Sequence, residues 1–172
     1  MINIDLSHIQ LIKGLIRASK PTTVLEIGFG TGLTTSAILD SLEKNKKGDL
    51  LLVDNFSDWG GKSPEHYEPL KAQWDRYPSM LGFIRSDEET FIKNCELKFD
   101  FIVSDADHCN THKWKQETYN LLNPGGILVY HDVSNPNYPN LRSIMEIPGK
   151  LFNTSSLPGE ECERGLYVIF KP

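Results

Sequence analysis

The sequence predicts a doubly wound α/β fold built on a parallel sheet. Three observations carry that prediction. Short apolar segments such as Leu50-Leu51-Leu52-Val53 and Phe101-Ile102-Val103 run without polar alternation, as strands buried on both faces do. Segments with apolar residues at helical spacing lie between them, so β and α elements alternate. A turn with glycine at alternate positions (Gly28, Gly30, Gly32) joins the first strand to a helix-like run.

The elements follow in order. Ser7 with Gln10 reads as a capping box opening a helix over 7–20. Ile9, Ile12 and Ile16 recur at helical spacing, and Pro21 ends the run. Strands are expected near 23–28, 49–54, 82–86, 99–104 and 126–131, and helices over 32–45, 64–76, 88–95 and 110–122. Residues 55–64 read as a loop. Residues 134–165 contain Pro136, Pro139, Pro148 and Pro158, which disfavour long regular elements. A last strand is expected over 165–171. In this sheet type ligands sit at the carboxyl ends of the strands, and every candidate residue below lies at or just past such an end.

At 172 residues the length prior gives one domain over 1–172. No apolar run approaches the ~20 residues of a membrane span, and Met1 to Asp5 lack the basic start of a signal peptide. The three cysteines, Cys95, Cys109 and Cys162, are odd in number and scattered, which argues for a reduced, cytoplasmic setting. A net charge of −5 argues against broad attraction to nucleic acid. The basic run Lys44-Asn45-Lys46-Lys47 reads as the solvated end of a helix.

The glycine turn narrows the ligand. A dinucleotide fingerprint wants a third glycine where Leu33 stands, and a P-loop wants a lysine that is absent here. Asp54 follows the glycines at about the ~20-residue interval at which an acid accepts hydrogen bonds from ribose hydroxyls, with Asn55 beside it. The pattern from Glu26 through Gly28, Gly30 and Gly32 resembles the first motif of the class I S-adenosylmethionine (SAM) methyltransferases. The resemblance implies SAM as cofactor. It also implies a Rossmann-like, mostly parallel seven-stranded sheet with helices on both faces and an antiparallel last strand. Glu26 would then organise the glycine loop and the cofactor's amino group. Relatives commonly show Gly-Asp after the third strand, with the acid near the adenine amino group. Here the pair is Ser86-Asp87, and Asp87 is equally placed to cap the helix starting at Glu88.

A second signal follows the fourth strand, which runs straight into Asp105, Asp107 and His108. The stretch Asn123-Pro124-Gly125-Gly126 then leads a strand into His131-Asp132. Ends of adjacent parallel strands lie ~5 Å apart, so Asp105, His131 and Asp132 can converge on one divalent ion, Mg or Mn. Asp-Ala-Asp-His followed by His-Asp resembles the metal-dependent O-methyltransferases of the macrolide-sugar and cephamycin-pathway branch. By matching positions, the resemblance implies metal ligation by Asp105, His131 and Asp132 and a general base at His108. The histidine at 131 departs from the usual Glu-Asp or Asp-Asn pair. Asp105 can instead contact the cofactor without a metal, and His108 can cap the helix expected over 110–122. Asp107 reads as structural or cofactor-facing, and His112 as exposed on the first turn of its helix. Trp59, His66 and Tyr67 are candidates for an acceptor pocket.

The chemistry is coherent. Methyl transfer from a sulfonium is an in-line displacement, so the protein must mainly position and activate the acceptor. A divalent ion lowers a hydroxyl's pKa, and a histidine of pKa near ~6.5 can take the proton. The leading expectation is SAM-dependent, metal-assisted O-methylation of a hydroxyl on a small molecule or sugar, with neither nucleic acid nor membrane as partner. A homo-oligomer is compatible, because a compact domain can borrow a neighbour's loop to close its pocket. The alternatives are an NAD(P)-dependent oxidoreductase of similar topology and a catalytically silent SAM-binding module.

Overall fold

The computed structural model describes residues 6–56, 72, 76–77, 81–153 and 164–172. Its seven strands are β1 Thr23–Ile27, β2 Asp49–Asp54, β3 Leu81–Arg85, β4 Phe99–Ser104, β5 Leu122–Tyr130, β6 Lys150–Asn153 and β7 Gly165–Phe170. They form one sheet in the order β3-β2-β1-β4-β5-β7-β6. The pairings from β3 through to β5 are parallel, while β7 runs antiparallel to both β5 and β6. The expected mostly parallel sheet with an antiparallel last strand is the observed one. The helices are α1 Leu6–Ser19, α2 Leu33–Asn45, α3 Glu88–Asn94 and α4 Lys115–Asn120, with 3-10 segments at Thr111–Trp114 and Pro139–Glu146.

Alternation along each strand feeds two cores, one per face. Val24, Phe101, Val103, Val129 and Val168 pack with Ile12 and Ile16 of α1 and with Ile38, Leu39 and Leu42 of α2. Leu25, Ile27, Ile102, Leu128 and Ile169 pack on the other face with Phe91 and Ile92 of α3 and with Leu141 and Ile144. Covering both faces is why the strands lack polar alternation. At the amino ends of the strands, Asp100 of β4 accepts from the Thr22 amide at 2.8 Å, from the Thr22 hydroxyl, and from Asn123 Nδ2 at 2.8 Å. One carboxylate thereby ties the starts of β1, β4 and β5 together.

Several element boundaries differ from the sequence expectation. Helix α1 begins at Leu6, so Ser7 lies inside its first turn rather than capping it. The segment expected as a helix over 110–122 is a 3-10 turn followed by the six-residue α4. Strand β5 starts at Leu122, four residues before the expected 126. Phe99 pairs with Leu122 and Phe101 with Ile127, so Asn123-Pro124-Gly125-Gly126 is a bulge inside the strand. Pro124, which cannot donate to a ladder, sits in that irregularity. Strand β6 was not anticipated; it is four residues long, in a proline-rich stretch, and is paired by β7. Most of the helix expected over 64–76, residues 57–64 of the expected loop, Met1 to Asp5 and Cys162 lie outside the described residues. Among the described residues, Cys95 and Cys109 are free thiols, and no helix is long and apolar enough to cross a membrane.

Candidate active site

The order of the strands reverses between β1 and β4, so the loops leaving their carboxyl ends diverge and open a crevice. A cleft of about 490 Å³ fills it. Its walls are Gly28 and Gly30 after β1, Asp54 and Asn55 at the end of β2, Ser86 and Asp87 after β3, and residues 105–108 after β4.

The glycine loop is specified by backbone conformation. Gly28, Gly30 and Gly32 have φ of 85°, 51° and 79°, the left-handed region that side chains disfavour. Gly28 has a second reason to be glycine: a Cβ there would lie 2.6 Å from the Asp105 carbonyl oxygen. The glycine thus lets the turn after β1 pass against the turn after β4. Gly32 caps α2 and does not reach the cleft wall. Glu26 is fully buried on β1, on the same face as Val24, and also lies behind the wall.

Asp54 is buried at the end of β2. Its Oδ2 accepts from the Phe29 amide at 2.9 Å and its Oδ1 from the Phe56 amide at 2.7 Å. The expected ribose acid therefore fixes the glycine loop and the turn after β2. The rings of Phe29, Phe56 and Phe83 pack at successive centroid distances of 5.1 Å. Asp87 caps α3, accepting from the Thr90 amide at 2.8 Å, and also lines the cleft. Backbone and side-chain bonds to Thr90 hold its carboxyl below the ordinary carboxylate range. Both roles considered for Asp87 are thus sterically compatible.

At one end of the cleft Asp105 and His108 line the wall and meet His131 and Asp132, which are buried behind it. Ser104 pairs with Tyr130 across β4 and β5, so the residues that follow, Asp105 and His131, emerge side by side. His131 Nδ1 lies 3.1 Å from Asp105 Oδ1 and 3.5 Å from Asp132 Oδ2. His108 Nε2 lies 2.8 Å from Asp132 Oδ2 and 3.3 Å from Asp105 Oδ1. One ligand atom from each of Asp105, His108, His131 and Asp132 lies within 4.8 Å of the others. Asp132 is held at φ 61°, an unfavourable conformation for a residue with a side chain, at the site itself. Arg164 Nε lies 3.9 Å from Asp132 Oδ1.

Burial opposes charge on every member, and mutual attraction overrides it. Burial would lower the His108 pKa, but hydrogen bonds and charge from Asp105 and Asp132 raise it to about 11. His131 is raised likewise, chiefly by the Asp105 charge acting against burial. Burial works to raise Asp105, yet the neighbouring histidines draw it well below the carboxylate range. Asp132 is lowered for the same reason, with His108 as its main partner.

The remaining candidates fall into place around this cluster. Asp107 accepts from the Cys109 amide at 3.1 Å and from Asn110 Nδ2 at 2.7 Å, which makes it a local brace of the loop. His108 does not cap a helix; its ring is held inside the cluster. His112 is half-buried rather than exposed. Trp59, His66 and Tyr67 lie outside the described residues. Two cleft residues escaped the sequence reading. Tyr138 packs against His108 with the rings tilted at 44° and a centroid distance of 4.8 Å, and no local pattern in its irregular loop points to that contact. Glu88 lines the cleft with its carboxyl buried. In sequence it reads only as an acid suiting the first turn of a helix.

A family model described as a methyltransferase domain matches residues 25–133, which span both the glycine turn and the His131-Asp132 pair. A curated relative, malonyl-[acyl-carrier protein] O-methyltransferase 1 of Ilyobacter polytropus, is 32% identical over 132 residues, or 73% of this chain. The chain spans 43% of that relative's length. Among solved structures, the O-methyltransferase TomG of Streptomyces achromogenes, involved in tomaymycin synthesis and in complex with SAM, matches with a TM-score of 0.74 at 13% identity, over 98% of this chain and 82% of that one. An O-methyltransferase of Bacillus cereus in complex with SAH, the demethylated cofactor, matches with a TM-score of 0.71 at 16% identity, over 96% and 82%. At those identities the likeness is one of fold.

Proposed function

This chain belongs to the methyltransferase domain family, and we propose that it catalyses SAM-dependent O-methylation of a small-molecule or sugar hydroxyl, assisted by a divalent ion. The observation that carries the reading is the meeting of two sites in one cleft. The glycine turn and Asp54 line one end, and Asp105 and His108 line the other, with His131 and Asp132 buried behind them.

Asp54 is the proposed ribose acceptor. A carboxylate offers about four lone-pair sites, so holding two loop amides does not preclude binding the sugar. Gly28 and Gly30 let the backbone approach the nucleoside, Asn55 and Ser86 line its path, and Asp87 faces the base. Glu26 and Gly32 support the loop from behind the wall.

The donor set fits a cation. His108 Nδ1 lies 2.8 Å from the Ala106 carbonyl, an acceptor only, so that nitrogen carries the proton. The Nε2 atom then faces two carboxylates, which requires either a second proton or a metal ion between them. Neighbouring donor atoms lie 2.8–3.5 Å apart, against about 3 Å for adjacent corners of an octahedron with bonds near ~2.1 Å. Asp105, His131 and Asp132 would hold the ion, which when bound polarises an acceptor oxygen and lowers its pKa. His108 is the proposed base. With its pKa raised to about 11 by the two carboxylates, it accepts a proton at neutral pH only when their charge is otherwise compensated. A second reading, favoured by its contact with both carboxylates, makes His108 a fourth ligand.

Calorimetry with SAM and SAH tests the proposal. Both should bind, and Asp54→Ala should weaken binding by about tenfold or more, as loss of a charge-assisted hydrogen bond does. No heat and no shift in melting with either compound overturns it. Binding without transfer to any hydroxyl or acyl acceptor, with Mn²⁺ present, leaves the silent SAM-binding module as the answer.

A further inference from the structure

We propose that Glu88 is a positioning residue that clamps the two ends of the loop carrying Asp105 and His108. The inference rests on reading the cleft as the methyl-transfer site, and deepens it. Ser104 is the last residue of β4, immediately before Asp105. Thr111 opens the 3-10 turn, three residues after His108. The Ser104 hydroxyl donates to Glu88 Oε1 at 3.2 Å, and the Thr111 hydroxyl donates to Oε2 at 2.6 Å. One carboxyl thus bridges the residues flanking the segment 105–110. All three partners are buried.

A side chain on the first turn of a helix ordinarily faces water, and burying a carboxyl is costly without partners. Here the carboxyl turns inward, where its partners are the two hydroxyls that bracket the loop. The loop's other ties differ in kind. Asp107 braces it only locally, through Cys109 and Asn110. The Asp105 amide donates to the Ile27 carbonyl at 2.9 Å and anchors one end alone. Glu88 joins both ends, and it does so from α3, which follows the β3 turn that walls the cofactor side of the cleft. Together with the direct contact of His108 Nε2 to Asp132 at 2.8 Å, the clamp limits how far His108 can move from Asp105 and Asp132.

Hydrogen exchange read by mass spectrometry on the full chain tests this, using Glu88→Ala, Glu88→Gln and Thr111→Val. Glu88→Ala and Thr111→Val should speed exchange of amides 105–111 by tenfold or more, with β1 and β2 amides unchanged. Glu88→Gln, which can still accept from one hydroxyl and donate to the other, should restore slow exchange. A Mn²⁺ titration followed by electron paramagnetic resonance gives a second readout. Affinity should fall about tenfold in Glu88→Ala and stay within threefold of wild type in Glu88→Gln. Unchanged exchange in the loop, or equal acceleration across all amides, overturns the clamp. Should wild-type protein take up no Mn²⁺, the metal reading fails while the exchange comparison still decides the role of Glu88. Should Glu88→Ala fail to fold, Thr111→Val carries the test alone.

Discussion

Glu88 shows how burial changes the meaning of a single residue. Burial is the main force on its carboxyl and raises the pKa from 4.5 to about 7. The Ser104 and Thr111 hydroxyls pull the other way, and the Asp107 charge adds to the rise. The folded protein then holds a proton that the unfolded chain has released between those two values. Stability from this group is present below pH 4.5 and is lost as pH rises through about 7. Wild type should therefore lose melting temperature relative to Glu88→Gln across that window. Parallel melting curves of the two proteins from acid to neutral pH check it; a constant gap between them refutes the assignment.

Helix α3 is the element whose ends matter most to the site. Asp87 caps it, Glu88 and Glu89 suit its positive end, and Lys93 in its last turn bonds Glu89 at 2.6 Å. Losing an acidic cap costs about 1 kcal/mol. Asp87→Ala should lower stability by that order and also weaken SAH binding, since Asp87 lines the cleft. Asp87→Ser keeps a capping oxygen but not the charge. It should recover the melting temperature in thermal denaturation without recovering the affinity in calorimetry. Full recovery of both would make Asp87 a cap alone. By contrast, α2 starts at Gly32 with no side-chain cap, so the glycine conformation itself sets where that helix begins.

Across the whole molecule, the sheet separates two cores, and the middle strands contribute to both. Phe101 on β4 is fully buried between β1 and β5 and faces the α1 and α2 side. Phe101→Ala should cost about 3–5 kcal/mol by transfer and cavity terms. Chemical denaturation measures that loss, and a cost below about 1 kcal/mol would contradict the packing described. The same strand ends at Ser104, immediately before Asp105, so a fault in the core reaches the site through its scaffold.

Taken alone, the sequence determined the doubly wound sheet, because strands buried on both faces cannot hide their composition and positive φ selects glycine. It also placed Asp54, Asp87, Asp105, His108, His131 and Asp132 at strand ends, where topology must bring them near one crevice. It missed β6 and the bulge at Pro124 and put the start of β5 four residues late, since pairing with β7 and β4 decides those positions rather than local propensity. Only the tertiary structure decided that His108 sits between two carboxylates, that Tyr138 packs against it, and that Glu88 turns inward. Apart from the reach of His108 to Asp105 three residues away, each of those is a contact between residues far apart in the chain, fixed by strand register and burial, and local pattern carries no record of it.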